Sequence, residues 1–129
     1  MKTEVSEDKR ANNRKKGTLG ESAAELVYNE AGFLTVCKNW HYKRFGELDL
    51  VLEKPAEKLL SVCEVKLRKN SAVAPASAAV NGKKQATIRF LAACFLAENP
   101  RFRDYNVRFD VAEVYSGENN RVNIIEGAF

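Results

Sequence analysis

Two short acidic patterns in this 129-residue chain could do chemistry. Asp49 lies in Gly46-Glu47-Leu48-Asp49-Leu50 and Glu64 opens Glu64-Val65-Lys66, each within an otherwise apolar run. Acidic residues are depleted inside β-strands, so their presence in two strand-like runs calls for a reason. The intervening Lys54-Pro55-Ala56-Glu57-Lys58 is a turn signal, and the two runs read as a hairpin. A turn centred between Ala56 and Glu57 sets Asp49 opposite Glu64 and Glu47 opposite Lys66. Opposed residues in an antiparallel pair have Cβ atoms about 5 Å apart. Two carboxylates that close repel unless one is protonated or a cation lies between them. Lys66, two residues beyond Glu64, shares its face of the strand. Two acids and an ammonium on one patch of sheet suit metal-assisted phosphodiester chemistry. Carboxylates hold Mg²⁺ through oxygen, the metal activates water and polarises the phosphoryl group, and the ammonium orients the water or offsets growing charge. The plainer reading of the same spacing is a solvent-facing hairpin in which Glu47 pairs with Lys66.

The elements that must position these residues follow from periodicity. Thr18 and Glu21 fit a capping box that opens a helix, with Leu19, Ala23, Leu26 and Val27 as its apolar stripe and Gly32 as its stop. A helical wheel sets Glu21 opposite that stripe, where capping alone would explain it. Phe33 to Trp40 reads as the first strand, and a basic loop with Lys38, His41, Lys43 and Arg44 follows. After the acidic hairpin, Asn70 to Val80 reads as a connection or short helical turn rich in Ala and Ser. Lys83 to Glu98 is a helix with Ile88, Leu91, Ala92 and Phe95 as its buried stripe, ended by Asn99-Pro100. Lys84 lies on the side of that stripe, its stem able to run along apolar surface. Tyr105 to Tyr115 and Arg121 to Ile125 are the last strands. The order α-β-β-β-α-β-β predicts an α/β fold, a mixed central sheet flanked by two helices.

Composition narrows the class. A hydrophobic content of 45% and a charged content of 29% fit one soluble globular domain over 17–129. Residues 1–16 carry six basic and three acidic side chains with almost nothing apolar, and read as a disordered charged tail. A net charge of +4 permits a polyanion partner without requiring one. Cys37, Cys63 and Cys94 form no CxxC pair and read as free thiols of a reducing compartment. No apolar leader and no run of membrane-spanning length is present, so a cytoplasmic protein is expected. His41 reads as a hydrogen-bonding loop residue, Arg108 and Asp110 as an ion pair, and Trp40 with Tyr42 as aromatics that close the core, although such rings among basic residues can also stack bases. P-loop, GxSxG and paired Cys or His metal motifs are absent.

Taken together, six blocks resemble the YraN-like family of endonuclease-like bacterial proteins. They are Gly20-Glu21, Asn39-Trp40, Gly46-Glu47-Leu48-Asp49-Leu50, Glu64-Val65-Lys66 with Arg68, Ala79-Val80 followed by Lys84, and Arg108-Phe109-Asp110-Val111. That family is similar to the PD-(D/E)xK nucleases, including archaeal Holliday-junction resolvases and restriction endonucleases. The resemblance implies a restriction-endonuclease-like fold and an Mg²⁺-dependent endonuclease, with Mn²⁺ as a substitute. Its DNA substrate would be branched or otherwise nonstandard. Asp49, Glu64 and the backbone carbonyl of Val65 would hold the metal, and Lys66 would be the catalytic lysine. Glu21 would be the helix-borne acid that completes the site, with Glu47 and Lys84 in support. The reading adds Lys43, Arg44, Arg68, Lys83 and Lys84 as contacts to nucleic acid, and a homodimer as the arrangement that two-strand cutting uses. Leu48 stands where the superfamily name has proline, and Ser61-Val62-Cys63 is a less bulky lead-in to the ExK motif than expected. The alternative function is a noncatalytic nucleic-acid-binding module that retains the nuclease fold.

Overall fold

Alternating apolar strands with one helix between the third and the fourth force a crossover, and a crossover makes the strands it joins parallel. The computed structural model, which describes residues 19–68, 80–117 and 121–129, has that arrangement. Helix α1 runs through residues 19–30. Strands β1 (Leu34–Tyr42), β2 (Gly46–Lys54) and β3 (Leu59–Arg68) form an antiparallel meander, helix α2 (Gly82–Glu98) crosses over, and β4 (Asn106–Tyr115) and β5 (Val122–Ile125) complete the sheet. The sheet order is β1-β2-β3-β4-β5, with β3 and β4 parallel and every other pair antiparallel. The expected α/β class and element order therefore hold. The charged tail over 1–16, Thr18 of the capping box and most of the Asn70 to Val80 connection lie outside the described residues.

The hairpin register is the one the turn demands. Leu50 pairs with Cys63, Val51 with Val62 and Leu52 with Ser61, around a short 3-10 turn at Pro55–Glu57. Lys58 closes that turn in a left-handed conformation and its N–H bonds the Pro55 carbonyl at 3.1 Å. Helix α2 starts where the Asn81 side chain accepts from the Lys84 amide at 2.9 Å, and Ile88, Leu91, Ala92 and Phe95 are its buried face, as the periodicity predicts.

The two helices cover opposite faces of the sheet. On the α2 side the core holds Leu48, Val51, Leu60, Val62 and Val111 under Ile88, Leu91 and Phe95. On the α1 side it holds Leu50, Leu52, Cys63, Ala112 and Val114 under Ala24 and Tyr28. The expected stripe of α1 is not its buried face. Leu19 and Leu26 are 63% and 59% exposed, whereas Glu21, Ala24 and Tyr28 are buried. Part of the reason lies in what faces the helix: Tyr28 donates to the buried Asp110 carboxylate at 2.8 Å, a bond no leucine could make. His41 likewise differs from expectation, since it lies within β1 and not in a loop.

Asp110 is fully buried on β4 and its two oxygens are saturated. Arg108 Nε and Nη2 donate at 2.8 and 2.9 Å, Tyr28 Oη at 2.8 Å, Ser61 Oγ at 2.5 Å and the Gly127 amide at 3.0 Å. One carboxylate thus ties α1, β3, β4 and the C-terminal segment together, and the Arg108–Asp110 pair read from the sequence forms. Replacing Asp110 with Asn removes the buried half of the pair and leaves Arg108 with Glu126 at 3.6 Å, a loss at the low end of the about 3–5 kcal/mol that breaking a buried pair costs. Urea unfolding of Asp110→Asn is expected to show a midpoint lowered by at least 1 M or so at an unchanged slope.

Candidate metal-binding acid cluster

The β2–β3 ladder ends at Leu50 and Cys63, and beyond that pair the strands part. Asp49 occupies the fork: its Oδ2 accepts from the Val65 amide at 2.9 Å, replacing a ladder bond with a side-chain bond. The alternation of β2 also breaks here, since Leu48 and Val51 face α2 while Leu50 and Leu52 face α1. On the neighbouring strand Asn39 lies between the pairs Lys38–Leu50 and Trp40–Leu48 with φ +51°, a left-handed conformation that asparagine tolerates better than most residues. The fork lets side chains from both faces of the sheet meet.

Glu64, 7% exposed, comes from β3 and Glu21, also 7% exposed, from α1. Helix α1 lies so close to β3 at this end that a Cβ on Gly20 would stand 2.6 Å from a Leu67 methyl. That approach carries the next residue, Glu21, to the fork. Lys84 Nζ is 3.6 Å from Glu64 Oε1, and Lys66 Nζ is 3.9 Å from the same oxygen. Lys66 and Lys84 therefore gather on Glu64, whose charge Asp49 opposes, and Glu21 joins this group through Asp49, which acts on it as well. Glu47 sits at its margin, where it raises the Glu21 pKa but bonds His41 Nε2 at 2.8 Å and does not make the expected pair with Lys66. The register explains this, because Glu47 is opposite His41 on β1 while the β2–β3 ladder has already ended.

The electrostatics are those of a site short of positive charge. Burial, and then the nearby Asp49 carboxylate, push Glu21 from the ordinary glutamate range up to about 7, with the Asn39 amide and Lys38 offsetting only part. Glu64 is raised by burial and by Asp49, against the opposing pull of Lys84 and Lys66. Glu21 Oε2 is buried without a hydrogen-bond partner, an uncommon state for a polar atom inside a protein. Among the described residues no group of three or more acidic, His or Cys side chains is placed so that it could hold a metal ion by itself. Mg²⁺ does not ask for one, since it takes one or two carboxylates and fills the rest with water and phosphate oxygen. The donor set is all oxygen, as a hard cation requires.

The rest of the expected surface divides. Lys43, Arg44 and Lys83 are exposed, Lys43 in a left-handed turn conformation at φ +51°. Arg68 is engaged elsewhere, with Nε 3.2 Å from Glu113 Oε2 and Nη2 buried. Trp40 closes the core against Phe95, ring centroids 5.3 Å apart. The three cysteines are free, and burial pushes the Cys63 thiol up to about 12. Sequence reasoning gave Asn39 no role of its own, although an Asn within an otherwise strand-like run is a residue type enriched in the left-handed region. Among the described residues no helix is long and apolar enough to cross a membrane.

Residues 20–114, which contain this cluster, match the family described as Uncharacterised protein family UPF0102. The chain belongs to that family. A UPF0102 protein of Acetivibrio thermocellus is 35% identical over 124 residues, covering 92% of this chain and 93% of the relative. One from Frankia alni is 41% identical over 115 residues, 88% and 92% of the two chains. One from Natranaerobius thermophilus is 32% identical over 111 residues, 86% and 90%. The YraN-like resemblance of the six sequence blocks is membership of this same UPF0102 family.

A carboxyl group whose pKa is raised by folding destabilises the fold once it ionises. Its favourable contribution is full below about pH 4.5 and fades as pH rises through about 7 for Glu21. In EDTA, the Tm of the protein is expected to fall between pH 5.5 and 8. Glu21→Gln should recover at least about 3 °C at pH 8, the shift that corresponds to roughly 1 kcal/mol in a domain of this size. At pH 5.5 the two proteins should melt closer together.

Proposed function

We propose that this protein is a divalent-metal-dependent phosphodiesterase that cleaves DNA internally, as an endonuclease. The observation that carries the reading is the fork itself. Asp49 repels two buried acids, Glu64 and Glu21, Lys66 and Lys84 flank Glu64 where the sheet opens, and one oxygen of Glu21 is left unpartnered. Burying charge this way is costly unless something pairs with it, and such arrangements cluster at functional sites.

In this reading Asp49, Glu64 and the Val65 backbone carbonyl hold Mg²⁺, or Mn²⁺ in its place, and Glu21 completes the oxygen set. The chemistry a bound cation supplies is neutralisation of phosphoryl charge and a water acidified for attack. The protein's own groups do the remainder. The Val65 amide fixes the rotamer of Asp49. Lys84 holds Glu64 from the α2 side. Lys66 is free to turn its ammonium from Glu64 to the attacking water or to the phosphate, where charge grows in the transition state. Lys43, Arg44 and Lys83 offer the exposed cations that a polyanion needs. Paired protomers would serve two-strand cutting, and branched or nonstandard DNA is the substrate class that the family resemblance favours.

One observation favours a second reading, a binding module without catalysis. Lys66 and Lys84 already neutralise part of the acid cluster, so lysine could stand in for the metal.

Labelled duplex, single-stranded, flap and four-way-junction DNA separates the two. Cleavage is expected with Mg²⁺ or Mn²⁺, none in EDTA, and at least about 10²-fold less with Lys66→Ala, while that variant binds DNA within about threefold of the wild type. Cleavage that survives in Lys66→Ala would overturn the assignment. Binding with no cleavage on any substrate, unaffected by metal, would favour the second reading.

A further inference from the structure

The aromatic rings of the α2-side core continue out to the surface. Phe102 stacks on Phe95 at 6.0 Å, Trp40 meets Phe95 edge-on at 5.3 Å, and Tyr42 stacks on Trp40 at 5.7 Å. Beyond Tyr42 the series ends in two rings that are not covered. Phe45 and Phe90 lie 5.3 Å apart, both touch Tyr42, and they are 57% and 46% exposed. Leaving two phenylalanines in water forgoes burial that each could have gained.

They are also held rigidly. The Phe45 amide bonds the Tyr42 carbonyl at 3.0 Å, closing the β1–β2 turn. Gly46 follows at φ +137°, and a Cβ added there would come within 3.4 Å of Leu91 and 3.9 Å of Thr87, so the turn lies close to the helix that bears Phe90. Its surroundings are cationic. Lys43 Nζ stands 5.3 Å from the Tyr42 ring centroid, and Arg44 is in the same turn. Lys83 and Thr87 precede Phe90 by seven and three residues, on one face of the helix. Helix α2 carries Lys83, Lys84 and Arg89 and has no acid before Glu98. The nearest acid along β2, Glu47, is tied to His41.

We propose that Phe45 and Phe90 form a stacking platform for unpaired bases of single-stranded DNA, with Lys43 and Arg44 on its phosphates. Rigid rings beside cations fit the two parts of such a strand, its π-faced bases and its anionic backbone. The platform adjoins the acid cluster: Phe45 lies in the turn four residues before Asp49, and Lys84 is on the same helix as Phe90. This inference rests on the nuclease reading for its purpose, since it would select substrates with an unpaired stretch next to the cleaved bond.

Fluorescence anisotropy in EDTA, with a single-stranded oligonucleotide and a matched duplex as probes, tests it apart from any cleavage. Phe45→Ala and Phe90→Ala are each expected to weaken single-strand binding about tenfold and to leave duplex binding within about twofold. Phe45→Leu, which keeps apolar area but has no π-face, should lose affinity as the alanine variant does, and Phe45→Trp should retain it. Lys43→Ala should lower the slope of log affinity against log salt by about 0.7, the value for one lost phosphate contact on a single strand, while Phe45→Ala leaves that slope alone. Both phenylalanines are half exposed, so these proteins should melt near the wild type. Equal losses for both probes, or none, would overturn the platform and leave metal-dependent cleavage standing on its own test. So would light-scattering masses in which the wild type is dimeric and Phe45→Ala monomeric with DNA binding unchanged, since the patch would then be a subunit interface.

Discussion

Everything at the candidate site depends on β2 leaving β3 beyond Leu50 and Cys63. A continuous ladder would have kept the two faces of the sheet apart, and α1 could not have shared a site with α2. Parting the strands leaves backbone groups without partners, which a folded chain rarely accepts. The structure resolves this by turning Asp49 inward to accept the Val65 amide, so the same carboxylate that patches the ladder becomes the centre of the acid cluster. Asn39, in a left-handed conformation on the adjoining strand, gives β1 the local bend that follows β2 away.

Two buried carboxylates in one small domain sit in opposite electrostatic settings. Asp110 is fully buried, yet five donors saturate it and a guanidinium neutralises it. It acts as a rivet between four segments. Glu21 is nearly as buried, but one oxygen has no donor and the closest strong influence is another carboxylate. The first arrangement lowers the energy of the fold. The second raises it, because burial and the neighbouring Asp49 carboxylate both oppose ionisation of Glu21.

Much of the fold was legible along the chain. The stripe Ile88, Leu91, Ala92 and Phe95 is regular at helical spacing, so α2 and its buried face follow from periodicity alone. The β2–β3 register followed from the Pro55 turn, because a hairpin allows few ways to pair strands around a fixed loop. Helix α1 could not be read in the same way. Its core-facing positions are occupied by Glu21, Ala24 and Tyr28, while Leu19 and Leu26 point to solvent, which inverts the rule that apolar residues mark the inner face. That inversion is intelligible only once Asp110 and the fork are known to lie beneath it.

The sequence by itself determined which residue types are available for chemistry, how they are spaced, and that β2 and β3 pair as a hairpin, because these follow from short-range geometry. Tertiary structure alone decided that Lys84, 20 positions from Glu64, reaches it from α2, that Glu21, 28 positions from Asp49, comes under its charge from α1, that Arg68 turns to Glu113, and that Phe45 and Phe90 remain uncovered. Each depends on where a chain segment lands after crossing the sheet. Periodicity within a segment says which of its residues share a face, and carries no information about what that face will meet.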